Sequence, residues 1–201
     1  MSDTQPENAE PLLGTRTVSS VAGLSLAVLG GLLFLVPPIT AVFSAYLFFT
    51  MALITLTDLR HFIIPDVLSL PAIPIGLMAS AFHHPDGDWL AGVTSGLAGA
   101  AIGGSVFYLL RAAYFGIRRI EGLGLGDVKL AAVAGAWLGP AALAPACLAA
   151  TLAAIAGVLL HAVFSGHKTP QPRQHVPFGS FIAPTILAFW IGKVIGLVHF
   201  W

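Results

Sequence analysis

The chain has 201 residues, 57% of them hydrophobic and only 9% charged, and its mean hydropathy is +0.89. That composition excludes a soluble globular core and implies a polytopic protein in a lipid bilayer. Lys plus Arg number 9, as do Asp plus Glu, so no basic surplus points to nucleic acid; the lone Cys147 excludes an internal disulfide and a CxxC zinc site.

Residues 1–17 read as a disordered cytoplasmic tail, because Ser2 to Gly14 is polar and acidic and carries Pro6 and Pro11. It lacks the basic start of a cleaved signal peptide, so the first apolar span is expected to stay in the mature protein. Residues 18–201 then form the membrane-embedded domain. Runs of roughly 17–25 apolar residues cross a bilayer as helices, and seven are predicted: about Val18–Val36, Ile39–Leu56, Val67–Phe82, Trp89–Phe115, Val128–Leu143, Pro145–Phe164 and Phe181–Trp201. Pro37-Pro38, Pro65-Asp66 and His83 to Asp88 separate the first four, and an outer turn over Gly139 to Pro145 separates the fifth from the sixth. Pro71 and Pro74 are expected to kink the third helix, not to abolish it. Gly92, Gly96, Gly99, Gly103 and Gly104 give the fourth a stripe for close helix packing. The fold class is therefore all-α, a polytopic membrane helix bundle.

Orientation follows from Lys and Arg, which favour the cytoplasmic side. Arg16, Arg60, Arg111, Arg118, Arg119, Lys129, Lys168 and Arg173 fall on one side of a seven-helix path, and only Lys193 falls on the other. This predicts an N-in, C-out protein, with Lys193 reaching outward.

Four carboxylates lie at the inner face: Asp58, Asp66, Glu121 and Asp127. A charge near hydrocarbon is costly, which makes it a functional-site candidate. Two carboxylates at one level can share a proton, the ionised one taking a proton from water and the other donating to a peptide carbonyl. Asp127 follows Gly122, Gly124 and Gly126, which leave bare backbone for an extended peptide or for unusual dihedrals. Asp58 and Asp66 compete to be its partner. Asp66 begins a helix, where it is expected to cap free N–H groups. Asp58 ends one, where the dipole disfavours it, and a residue placed against its local preference speaks for function. Asp58 and Asp127 are thus the expected catalytic pair, Asp127 as base and Asp58 holding the proton.

The run Glu121-Gly-Leu-Gly-Leu-Gly-Asp127-Val-Lys129-Leu130 resembles the Glu-Gly-x-Gly-x-Gly-Asp-x-Lys-Leu signature of the type IV prepilin peptidases, bacterial GxGD membrane aspartic proteases. Asp58-Leu-Arg-His-Phe-Ile-Ile-Pro65-Asp66 resembles the family's first aspartate segment, whose leading Asp is catalytic. Val176-Pro177-Phe178-Gly179-Ser180-Phe181 resembles the segment before its last helix. The three blocks occur in family order. The resemblance implies an endopeptidase of the bacterial inner membrane that removes the short basic leader from prepilins or pseudopilins at the cytoplasmic face. It implies no cofactor for that step. Glu121, Gly122, Gly124, Gly126, Lys129, Asp66, Pro177, Phe178 and Gly179 become substrate-binding or supporting residues. Long-form members carry a cysteine-containing cytoplasmic domain that this sequence lacks, so zinc is not expected, while methylation of the new N-terminus and the oligomeric state stay open. His161, His167 and His175 read as residues of a solvated loop. A proton-coupled carrier would also hold intramembrane carboxylates, but would favour midplane sites and internal repeats. A non-catalytic assembly factor of a pilus or secretion machine is the third reading.

Overall fold

The computed structural model describes residues 12–84, 87–120, 122–164 and 177–197. Its seven helices are α1 (Thr15–Leu32), α2 (Pro38–His61), α3 (Asp66–Phe82), α4 (Trp89–Arg118), α5 (Leu125–Leu138), α6 (Pro140–Phe164) and α7 (Gly179–Val194), with no strand among the described residues. α1, α2, α4 and α6 are long and apolar enough to cross a membrane. α5 has only 14 residues, about 21 Å at 1.5 Å per residue. It forms the hub of the bundle, packing on α3, α4, α6 and α7, whereas α1 touches α2 alone.

Local chemistry sets the boundaries. Pro38 opens α2 at the first helical position, where its missing N–H costs nothing. Asp88 caps α4 by accepting the N–H groups of Leu90 (2.9 Å) and Ala91 (3.2 Å). Pro71 and Pro74 lie inside α3, as the sequence predicts. The break between α5 and α6 differs from the expected outer turn. It is the single residue Gly139, at φ +80°, and Pro140 starts α6 directly. Pro145 lies inside α6 instead of starting it. One residue in the left-handed region suffices to redirect the chain, so no longer turn is needed. The last helix ends at Val194, short of the expected span, and residues 198–201 lie outside the described residues.

The glycine stripe of α4 packs as its spacing foretells. A methyl on Gly99 would sit 2.3 Å from the carbonyl oxygen of Gly135, and one on Gly103 would sit 2.4 Å from that of Ala131. A methyl on Gly92 would sit 2.4 Å from the Ser80 carbonyl of α3. Backbone thus lies on backbone, the contact that small residues allow in lipid, where no hydrophobic force drives helices together. Farther across the bundle, Trp137 and Trp190 stack edge to face at 5.0 Å. Both are fully buried, and each indole N–H is satisfied, by Ala72 O at 2.8 Å and by Ser44 Oγ at 2.9 Å. The Ser80 hydroxyl donates to Ala136 O at 2.8 Å.

The path gives the bundle two distinct ends. One gathers the turns α1–α2, α3–α4 and α5–α6, with His83 beside Trp190 and Lys193. The other gathers the start of α1, the α2–α3 linker, the α4–α5 loop and the start of α7. There His61 Nε2 lies 3.0 Å from Leu12 O. Arg16, Arg60, Arg118, Arg119 and Lys129 belong to this second end, and Lys193 to the first.

Candidate active site

Asp58 lies in the last turn of α2 and is 5% exposed. α2 closes at Phe62, whose φ of +55° is unusual for a bulky residue. Its N–H donates to Asp58 O at 2.9 Å, satisfying one of the orphan carbonyls at a helix end. The reversal folds Ile64 back into the interior, while Phe62 and Ile63 stay exposed. The Asp58 carboxylate is held from another direction. Its Oδ2 accepts the backbone N–H of Ser180, at the start of α7, at 2.6 Å. A methyl on Gly179 would sit 3.1 Å from Asp58 Cγ and 2.7 Å from Ile64 Cδ1. Only a glycine lets α7 bring its N-terminus to this carboxylate.

Asp127 stands in the first turn of α5 and is half-buried. Its Oδ2 accepts the N–H of Gly124, the N-cap residue, at 3.2 Å. Gly126 abuts Ile64, whose Cβ would lie 2.9 Å from an added methyl. Ile64 therefore touches Gly126, beside Asp127, and Gly179, beside Asp58. The structure brings the two aspartates together at one end of the bundle, near enough for the Asp58 charge to act on the Asp127 carboxyl group.

Several expectations change. Asp66 is not a cap: Pro65 holds the N-cap position, and the Asp66 carboxylate meets Lys129 Nζ at 2.5 Å. The first-turn position favours the negative charge, and the lysine two residues past Asp127 draws it toward α5. Nor is Asp58 without a helpful dipole, because the N-terminus of α7 supplies one, just as α5 supplies one to Asp127. The division into base and acid on dipole grounds therefore lapses. The glycines are not free on every side: a methyl on Gly122 would sit 2.4 Å from the Tyr114 ring, one on Gly126 2.9 Å from Ile64 Cβ, and one on Gly124 3.2 Å from Asp127 Oδ2. None of the three has a positive φ. Arg111 secures their loop by donating from Nε to Leu123 O at 3.2 Å.

Pro177 and Phe178 lead into α7, and the Ser180 hydroxyl donates to Pro177 O at 2.6 Å. Glu121, His167 and His175 lie outside the described residues, and His161 is in the last turn of α6. Among the described residues no group of three or more His, Cys, Asp or Glu is placed to hold a metal. Sequence reasoning missed Ser180 and Ile64. Each sits inside a motif it quoted, but a backbone N–H and an apolar spacer leave no chemical signature.

Residues 45–163, more than half of the chain, match the type IV leader peptidase family. The chain is 32% identical over 146 residues to a prepilin leader peptidase/N-methyltransferase of Pseudomonas aeruginosa, covering 71% of this chain and 45% of that protein. A protein of the same description from Xanthomonas campestris is 32% identical over 144 residues (72% and 44%), and one from Aeromonas salmonicida is 34% identical over 160 residues (76% and 49%). The chain thus spans about half the length of these relatives. No solved structure matches it.

Proposed function

Because the chain belongs to the type IV leader peptidase family, we propose that it is a membrane aspartic endopeptidase that cuts the short basic leader from type IV prepilins or pilin-like precursors. Asp58 and Asp127 are its catalytic residues. The observation that supports this is the packing of Ile64 against Gly126, beside Asp127 on α5, and Gly179, beside Asp58 of α2, at one end of the bundle. One carboxylate is ionised and takes a proton from a water molecule as the water oxygen bonds to the peptide carbon. The other, protonated, gives its proton to the carbonyl oxygen. Collapse of the tetrahedral adduct breaks the C–N bond. The proton taken from water passes to the leaving amine, and the hydroxyl proton returns to the second carboxylate.

The orientation is N-in, with the aspartate end at the cytoplasmic face of the bacterial inner membrane. Supporting this, Arg16, Arg60, Arg118, Arg119 and Lys129 stand at the aspartate end. Phe62 and Ile63, exposed beside Asp58, offer an apolar surface to the hydrophobic part of the precursor.

The test is incubation of the purified protein in lipid with a prepilin peptide. Cleavage at one bond, abolished by Asp58→Ala and by Asp127→Ala, is expected. Undiminished cleavage in either variant overturns the assignment.

A further inference from the structure

The ion pair between Lys129 and Asp66 joins the two aspartate-bearing segments, beside the apolar contact of Ile64 with Gly126. Lys129 lies two residues after Asp127 on α5. Asp66 lies two residues after Ile64, whose side chain abuts Gly126 and Gly179. Their side chains are 24% and 57% exposed, so the pair sits at the rim. An exposed pair of this kind contributes little to global stability. A role in holding the whole fold is therefore a poor reason for it. Its placement suggests a different one. The α2–α3 linker is short and leaves α2 through a left-handed Phe62, and the α4–α5 loop leaves α4 through a left-handed Arg119. Among the described residues no backbone hydrogen bond joins the first to the second, and the Ile64 contact is apolar and without direction. A charge-assisted hydrogen bond adds direction.

We propose that Asp66 and Lys129 form a positioning latch that sets the register of the α2–α3 linker on the start of α5, and through it the spacing of Asp58 and Asp127. The inference rests on the peptidase reading. Neither residue touches the reacting atoms: Asp66 acts through the linker and Ile64, and Lys129 through the first turn of α5. The alternative role, direct contact with the basic leader, is a natural one for an exposed acidic residue, and the two differ in what they do to kinetics. Direct contact raises KM; misplacement of catalytic groups lowers kcat.

Asp66→Asn and Lys129→Gln are each expected to lower kcat about tenfold, since small displacements of catalytic groups carry such losses, with KM little changed. The swap of Asp66→Lys with Lys129→Asp is expected to return kcat to within about threefold of wild type. Recovery is partial because a lysine at a helix N-terminus is disfavoured by the dipole. A second measurement does not depend on catalysis. Cysteines at exposed Ile63 and Leu125, in a Cys147→Ser background, are joined by a short bis-maleimide in lipid. The single charge variants are expected to slow cross-linking severalfold, and the swap to restore it. If the wild-type chain cuts no peptide, the peptidase reading falls, while slowed and restored cross-linking still supports the latch. Single variants with wild-type kcat, a loss confined to KM, or cross-linking that ignores the charges would each overturn it.

Discussion

Ile64 lies against two glycines through different atoms, and that difference makes a sharp prediction. A methyl on Gly179 meets the far end of the side chain, Cδ1, at 2.7 Å. A methyl on Gly126 meets its root, Cβ, at 2.9 Å, with Cδ1 at 3.1 Å and Cγ1 at 3.3 Å. Ordinary contact begins near 3.4 Å, so Gly126→Ala must push the Ile64 backbone away by roughly half an ångström or more, an overpacking cost of about 1–3 kcal/mol. The displaced linker carries Asp58 with it, and a shift approaching 1 Å in catalytic geometry costs on the order of 100-fold in rate. Gly179→Ala is relieved when Cδ1 turns or is removed, although 3.1 Å contacts with the Asp58 carboxyl group remain. Ile64→Val deletes Cδ1 and keeps Cβ. The double variant Gly179→Ala/Ile64→Val is therefore expected to regain most of the cleavage that Gly179→Ala loses, whereas Ile64→Val should rescue Gly126→Ala little. The assay is kcat/KM on a prepilin peptide, with thermal unfolding in the same detergent as a control for folding. Equal rescue of both glycine variants, or Gly126→Ala at wild-type rate, would refute the placement of Ile64 between the aspartates.

Ser180→Ala should cleave within about threefold of wild type, because Asp58 is held by the Ser180 backbone N–H and the hydroxyl bonds only Pro177 O; peptide cleavage kinetics check this. Gly135→Val should lower stability by on the order of 3 kcal/mol or more, since its first methyl would sit 2.1 Å from the Gly99 carbonyl group. Gly31→Ala, with nothing within 4 Å, serves as the neutral control in the same melting experiment. Burial, and then the Lys193 charge, hold the His83 imidazole below its usual range. The fold therefore prefers neutral His83. That preference is fully present above about pH 6.5, where the unfolded imidazole is also neutral, and is lost as the pH falls below it. Melting temperature should drop on acidification through that window, and His83→Gln should flatten the drop.

The helices were legible because lipid demands long apolar runs and proline or glycine punctuates them. The α4 stripe was legible for the same reason, since glycine at helical spacing has few uses in a membrane other than contact. Asp58 and Asp127 stood out because carboxylates are rare in so apolar a chain. What surrounds them did not. The Gly179 motif carries no ionisable group to mark it, yet it brings the Ser180 N–H to Asp58, a contact between residues 122 positions apart. Asp66 looked like a cap because local sequence was all there was to judge it by, while its partner Lys129 is 63 residues away. The α5–α6 boundary was misread for the converse reason: Pro145 reads as a helix breaker, but tertiary packing keeps it inside α6.

The two ends of the bundle are tied in different ways, and this bears on how a peptide reaches Asp58. At the far end, backbone meets backbone at Gly99 and Gly135, Ser80 bonds α5, and two buried tryptophans interlock. None of these contacts can loosen without helices parting. At the aspartate end the ties from the Asp58–Asp66 segment to α5 and α7 are, among the described residues, the Ile64 contact, one backbone hydrogen bond to Asp58 and one rim ion pair. Opening free energies follow local contact density, so the aspartate end yields first. Asp58 is only 5% exposed, so its surroundings leave little room for a peptide beside the carboxylate. On the proposed function, peptide entry is expected to lift the linker carrying Ile64 from Gly126 and Gly179 while the far end holds. Hydrogen exchange offers the direct measure: amides of Phe62 to Ile64 and Gly122 to Gly126 should exchange far faster than those around Trp137, and a bound peptide should slow the first group alone. Uniform exchange at both ends would contradict this division.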